Sequence, residues 1–119
     1  MSSRQQKDAY ANLYETYRWQ VPPDFNITEL CCSRWASDPD RVAIFFDDLH
    51  GDRVVTYAQL QQDANRLCHV LQGLGVTRGT RVAIILPQRP EAAVAHLACH
   101  QLGAIAMPMS VLFGPDALQ

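Results

Sequence analysis

The sequence predicts an α/β fold in which an antiparallel β-hairpin precedes a β-α-β unit, with helices packed on the sheet. Two apolar β-type runs, residues 42–46 and 53–57, flank a turn-rich segment and predict the hairpin. Two further runs, residues 81–86 and 104–107, enclose a segment of helical length. A strand, a helix and a strand in that order predict two parallel strands joined by a right-handed crossover.

Length and composition indicate one small domain. The chain has 119 residues, of which 48% are hydrophobic and 18% are charged, and its formal net charge is −2. The hydrophobic fraction argues against disorder, and the near-neutral charge provides no general footprint for nucleic acid. Lys7 is the single lysine among ten basic residues, so chemistry that needs a lysine later in the chain is excluded.

The N-terminal residues predict a helical arm. Residues 5–18 carry apolar side chains at helical spacing, and Pro22 with Pro23 ends the helix. The density of aromatic side chains favours an arm that packs on a larger body, and a recognition helix for a partner is the alternative. We therefore divide the chain into an N-terminal helical arm, residues 1–26, and a domain over residues 27–119.

The other helices are predicted from their ends. Thr28 is expected to cap a short helix that runs to Ala36. Thr56 and Gln59 have the spacing of a capping box, and their helix is expected to end at Gly75.

The crossover helix and a further helix follow. Pro90 suits the first turn of the crossover helix, Glu91 favours its positive end, and Gly103 ends it. Another helix is expected to begin near Gly114-Pro115-Asp116.

No apolar run reaches the about 20 residues that a membrane span needs. The N-terminal segment has no hydrophobic centre and no cleavage site of small residues, so we expect no secretory signal and a cytoplasmic location. The four cysteines, Cys31, Cys32, Cys68 and Cys99, contain no C-x-x-C pair, and adjacent cysteines are poorly spaced for one zinc ion. We predict free thiols that pack as small apolar side chains.

Two candidate sites are interpreted as structural. Gly73, Gly75 and Gly79 close a helix and precede a strand, which reverses the order that a phosphate cradle needs, so they are predicted to cap the helix. Asp47 and Asp48 follow a strand, as in a phospho-receiver domain. That domain also needs a later lysine, so we predict solvated residues in a longer hairpin loop.

A third candidate is a histidine pair. His96 and His100 lie one helical turn apart with Cys99 beside them, a spacing that can present two imidazoles to a metal ion. No third ligand is near, and Glu91 does not share their face, so surface or interface histidines are expected. We predict no catalytic, cofactor-binding or metal-binding residue in this chain.

A series of motifs runs through the chain, and their order and spacing are specific although each motif alone is weak. In order they are Arg18-Trp19-Gln20-Val21-Pro22 with Phe25-Asn26, Pro39-Asp40-Arg41-Val42-Ala43, Thr56-Tyr57-x-x-Leu60, Asn65-Arg66-Leu67, Gly75-Val76, Gly79-x-Arg81-Val82, Leu86-Pro87-x-x-Pro90-Glu91, Gly103-Ala104, Pro108, and Leu112-Phe113-Gly114-Pro115-Asp116-Ala117-Leu118. From about residue 10 to residue 119 the chain resembles the N-terminal part of the AMP-forming acyl-CoA synthetases, the adenylating superfamily. The first and last groups look most like its acetyl-to-medium-chain branch. Thr80 stands where the family usually has aspartate.

The resemblance implies a ligase that joins a carboxylic acid to coenzyme A through an acyl-adenylate, using ATP and Mg²⁺, with a role in fatty acid metabolism. The family's phosphate loop ending in lysine, its aromatic-Gly-x-Thr-Glu motif, its ribose-binding aspartate and its mobile C-terminal domain have no match in these residues. The matched residues are scaffold in that family, and none transfers as a catalytic residue. We therefore expect a fold truncated at its C-terminus and a chain that is inactive alone.

Two other functions stay open. The chain can be a standalone α/β interaction module that pairs with a larger synthetase chain. An unrelated nucleotide-binding α/β domain is disfavoured by the reversed glycine order and the missing lysine. Whether the chain is a fragment or a module, we expect an apolar face of the sheet to stay exposed to solvent and to promote self-association.

Overall fold

The computed structural model describes residues 3–48 and 51–117, and its elements follow one another along the chain as helix, hairpin and β-α-β unit. They are α1 (Ser3–Thr16), α2 (Ile27–Cys31), a 3₁₀ turn (Ser33–Trp35), β1 (Val42–Asp48), β2 (Gly51–Thr56), α3 (Tyr57–Gly73), β3 (Arg81–Ile84), α4 (Pro90–Gln101), β4 (Ile105–Pro108) and a second 3₁₀ turn (Pro115–Ala117). The helix expected near Gly114 is this last short turn. No helix of the described ranges is long and apolar enough to cross a bilayer.

The strands form two separate pairs. β1 pairs with β2 in antiparallel fashion, and β3 pairs with β4 in parallel, so the predicted hairpin and the predicted parallel pair are both confirmed. The helix α4 connects β3 to β4, as the β-α-β prediction requires.

The hairpin is tighter than its sequence predicts. Asp47 pairs with Asp52 and Asp48 pairs with Gly51, so only residues 49 and 50, which lie outside the described residues, separate the strands. The prediction of a longer loop containing Asp47 and Asp48 is therefore wrong. Cross-strand pairing, helped by an Arg53–Asp48 ion pair at 3.8 Å, extends both strands through residues whose local preference is for turns.

Helix α3 begins and ends where its capping residues predict. The Gln59 amide donates to the Thr56 hydroxyl at 3.3 Å, and the Thr56 amide donates to the Gln59 side chain at 3.0 Å, which completes the capping box. Gly75 follows the helix with φ +86°, a left-handed conformation that favours glycine. Local sequence alone therefore places this helix.

Helix α2 begins at a different residue from the one predicted. Asn26 is the cap, because its side-chain oxygen accepts the Thr28 amide at 3.0 Å, and Thr28 is the second residue of the helix. The Asn26 side-chain nitrogen also donates to the His100 carbonyl at 3.2 Å, a contact 74 residues along the chain. The predicted continuous helix to Ala36 is interrupted after Cys31 and continues as a 3₁₀ turn.

The core lies between the β-α-β unit and α3. Ile84, Cys99 and Ala104 form a buried cluster, and α3 contributes the buried side chains of Leu60, Ala64 and Cys68. All four cysteines are free thiols; Cys32, Cys68 and Cys99 are buried and Cys31 is exposed. The prediction of packed thiols is therefore right for three of them and wrong for Cys31.

The arm leaves its aromatic side chains in solvent. Tyr10 is 70% exposed, Tyr14 77% and Trp19 82%, so the predicted packing on a larger body is not found among the described residues. The radius of gyration is 19.3 Å, against about 14 Å for a compact chain of this length. The excess is consistent with an arm that extends away from the body.

Candidate functional site

The carboxyl ends of β3 and β4 meet at one edge of the parallel pair, beside the N-terminus of α4. A cleft of ≈ 560 Å³ lies at this edge. Its lining residues are Ile84, Leu86, Pro87, Gln88, Ala92, His96, Pro108, Met109, Ser110 and Val111. Ligands of open α/β sheets bind at the carboxyl edge of the strands, so this edge is the candidate site of the chain.

His96 is the titratable residue of this cleft. Its Nδ1 lies 2.8 Å from the Ala92 carbonyl oxygen, and because a carbonyl oxygen can only accept, Nδ1–H is the donor of this hydrogen bond. The same ring borders a second cavity of ≈ 400 Å³ toward the hairpin, lined also by Phe46 and Arg89. Periodicity did not place His96 at a cleft; the signal was the β-α-β order, which brings the first turns of α4 to the carboxyl edge.

The histidine pair has the expected spacing without a third ligand. The rings of His96 and His100 have centroids 6.4 Å apart, while Cys99 is buried in the core. The described residues contain no group of three or more His, Cys, Asp or Glu side chains arranged to hold a metal ion. Their donor set therefore does not fit a resident metal.

The N-terminus of α4 is tied to the hairpin. The Arg89 side chain donates to the Glu91 carboxylate at 3.3 Å, and its guanidinium lies over the Phe46 ring at 5.4 Å. The pKa of Glu91 is held below its usual value by the backbone N–H at the helix start and by Arg89. A negative charge is therefore stabilised where the helix dipole is positive.

The glycine and aspartate candidates have structural roles. Gly75 and Gly79 have positive φ between α3 and β3, and the Gly79 amide donates to the Gly103 carbonyl at 2.9 Å, which confirms the prediction of structural glycines. Asp47 and Asp48 are strand residues, and Asp48 pairs with Arg53. These residues do not converge on the carboxyl-edge cleft.

The buried thiols are poor nucleophiles. Burial raises the pKa of Cys32, Cys68 and Cys99, so the reactive thiolate is disfavoured. The Cys68 thiol also donates to the Ala98 carbonyl at 3.4 Å across the α3–α4 contact. These cysteines act in packing. The prediction that the chain carries no catalytic, cofactor-binding or metal-binding residue stays a prediction.

The hairpin, the β-α-β unit and the helices packed on them define an α/β domain. The family model described as "AMP-binding enzyme" matches residues 32–119, so the chain belongs to that family, and the resemblance in its motifs is confirmed. It is 40% identical over 115 residues to the acetyl-coenzyme A synthetase of Streptomyces coelicolor, covering 87% of this chain and 18% of that protein. The acetyl-coenzyme A synthetase of Nostoc linckia is 40% identical over 104 residues, and the match covers 85% of this chain and 31% of that protein.

Solved structures agree with this family. The N-terminal subdomain of Klebsiella oxytoca NpsA superposes with a TM-score of 0.66 at 28% identity, covering 76% of this chain and 23% of that one. CmiS6 superposes with a TM-score of 0.70 at 27% identity, and the match covers 86% of this chain and 26% of the CmiS6 chain. The chain thus spans less than a third of the length of each relative. The predicted fold, the N-terminal portion of an adenylating enzyme, is confirmed.

Proposed function

We propose that the chain is the N-terminal scaffold of an AMP-forming acyl-CoA synthetase. The full reaction converts a carboxylic acid, ATP and coenzyme A to acyl-CoA, AMP and diphosphate. The observation that carries this proposal is the family match over residues 32–119 together with acetyl-coenzyme A synthetase relatives aligned over most of the chain. A role in fatty acid metabolism and a cytoplasmic location belong to the same proposal.

The chain contributes architecture and a binding edge rather than the reacting groups. Adenylation needs hydrogen-bond donors that hold the phosphates of ATP, cations opposite the developing charge and a dry pocket. The one lysine, Lys7, lies in the arm, and the described residues offer no cluster of metal ligands. Because these residues do not fit a Mg²⁺ site, no step of the reaction is assigned to them. The 119-residue chain is therefore inactive alone.

We also propose a boundary at residue 26, with an arm over residues 1–26 and a partial domain over residues 27–119. Asn26 supports this position, because its side chain both caps α2 and reaches the His100 carbonyl. The aromatic residues before it are exposed. Packing against α4 therefore starts at the boundary itself.

Exchange of radioactive diphosphate into ATP tests the proposal. The chain is assayed with Mg²⁺ and either acetate or a medium-chain acid, with an intact acetyl-coenzyme A synthetase as the positive control. We expect exchange at the level of the no-acid blank. Exchange that depends on the acid would contradict the inactivity of the isolated chain.

A second function, an interaction module that partners a larger synthetase chain, is favoured by the exposed apolar surface. Phe45, which pairs with Val54 across the hairpin, is 81% exposed, and the arm adds Tyr14 and Trp19. Such surface promotes self-association or binding to a partner. Size-exclusion chromatography with light scattering tests this: we expect concentration-dependent oligomers. A soluble monomer that melts in one sharp transition would contradict it, and co-purification with a synthetase-like chain would favour the module.

A further inference from the structure

Two arginines share one indole ring beside the start of the hairpin. The guanidinium carbon of Arg34 lies over the Trp35 ring, 4.2 Å from its centroid, and that of Arg41 lies over the same ring at 3.8 Å. Arg41 also lies over the Tyr57 ring, at 6.0 Å. The two guanidinium carbons are therefore separated by at most about 8 Å, since both are measured from one ring centre. We call Arg34 and Arg41 the arginine pair.

Backbone hydrogen bonds fix the positions from which the arginine pair projects. The Trp35 amide donates to the Cys32 carbonyl at 2.9 Å, within the 3₁₀ turn that carries Arg34. The Tyr57 amide donates to the Arg41 carbonyl at 2.9 Å, which ties Arg41 to the start of α3. Because these hydrogen bonds hold the backbone before a ligand arrives, the conformational entropy lost on binding falls mainly on the two arginine side chains.

The hydrogen-bonding edges of the arginine pair are not used by the protein. Among the side chains that the structure describes, residues 9–48 and 51–116, no carboxylate lies within 4.0 Å of either guanidinium, and neither arginine side chain donates a hydrogen bond to a protein atom. Both residues are exposed. A guanidinium has five N–H donors in its plane, and contact with an aromatic ring does not use them as a hydrogen bond to a carboxylate would.

We propose that the arginine pair binds a phosphate group, carried by free phosphate or by a phosphate monoester. Two exposed guanidinium charges at most about 8 Å apart match the charge of about −2 that a phosphate monoester carries at neutral pH. The planar edges of the guanidinium groups match pairs of phosphate oxygens in bidentate geometry. This site is separate from the carboxyl-edge cleft, which the arginine pair does not line.

Trp35 fluorescence reports binding directly. The chain has two tryptophans, and Trp19→Phe leaves Trp35 as the single reporter. Trp19 is 82% exposed, so this change leaves the arginine pair intact. In that background, inorganic phosphate and glycerol 3-phosphate replace sodium chloride at constant ionic strength and pH 8. We expect a saturable fluorescence change with half-saturation on the order of 1 mM, and weaker binding at pH 5, where the monoester carries one charge.

Matched variants identify the groups that bind. Arg34→Gln and Arg41→Gln should each weaken binding at least fivefold, and Arg41→Lys should also weaken it because an ammonium lacks the planar fork. Arg66→Gln is the control, since the Arg66 side chain is paired with Asp63 at 3.0 Å and its loss removes the same charge elsewhere. Its affinity should equal that of the parent, and circular dichroism verifies the fold of every variant.

The outcomes are decisive in both directions. A lower half-saturating concentration for glycerol 3-phosphate than for inorganic phosphate supports a monoester as the ligand. The reverse order supports the free ion. A fluorescence response that does not saturate, or equal affinities for Arg41→Gln and Arg66→Gln, would overturn the proposal.

Discussion

The Thr28 hydroxyl joins α2 to α4 through a buried hydrogen bond, and Thr28→Val isolates its energy. The hydroxyl donates to the Leu97 carbonyl at 2.9 Å, and Thr28 is 1% exposed. Valine has nearly the same shape, so packing changes little while the Leu97 carbonyl loses a donor. A buried hydrogen bond contributes about 1 kcal/mol, and the desolvated carbonyl adds to the cost. We expect the free energy of unfolding to fall by ~1–2 kcal/mol.

Urea unfolding in the Trp19→Phe background, followed by Trp35 fluorescence, measures this change. With a slope of about 1.5 kcal/mol per molar urea, the midpoint should move to lower urea by roughly 1 M. Thr16→Val is the matched control, because the Thr16 hydroxyl donates to the Asn12 carbonyl at 2.6 Å in exposed surroundings. The control should change stability by less than about 0.5 kcal/mol. Equal midpoints for Thr28→Val and Thr16→Val would refute the reasoning.

Two further predictions concern a glycine and a buried thiol. Gly103 has φ +68°, and an added Cβ meets the Arg78 side chain at 3.2 Å, so Gly103→Ala should lower the melting temperature through a cost of about 1–2 kcal/mol. A Cβ added at Gly73 meets nothing within 4 Å, so Gly73→Ala should be neutral or stabilising. Equal decreases in melting temperature for the two variants would contradict the argument from backbone conformation. Burial raises the pKa of Cys99 above 9.0, so the folded chain keeps a proton that the unfolded chain releases. Its contribution to stability is therefore full below pH 9 and is lost as the pH rises through the folded pKa. Urea midpoints between about pH 8 and pH 10 should fall less steeply for Cys99→Ala than for the exposed control Cys31→Ser, and parallel profiles would contradict this.

Elements with local end signals could be predicted from the sequence. The capping box of Thr56 and Gln59 and the left-handed Gly75 act through contacts within a few residues, so their chemistry is visible in a short window. Helix α2 was misplaced because Asn26 and Thr28 are both good caps. The choice between them coincides with the contact from Asn26 to His100, which no local pattern contains.

The hairpin and the site show the same limit. Asp47 and Asp52 have turn preferences, and pairing across the strands overrides them. His96 has helical spacing in the sequence, but its place between two cavities depends on how α4 packs on the strands and the hairpin. Long-range packing therefore decides both the length of the hairpin strands and the position of His96 between two cavities.

The double use of the Asn26 side chain sets an order of events in folding. Helix α2 has five residues, too few to persist alone in water, since helix nucleation is unfavourable. The amide that caps it is held by the carbonyls of His100 and Gln101, so its rigid form requires a completed α4. Helix α2 should therefore form late. Protection of the Thr28 amide from hydrogen exchange then reports whether the C-terminal end of α4, more than seventy residues away, has folded.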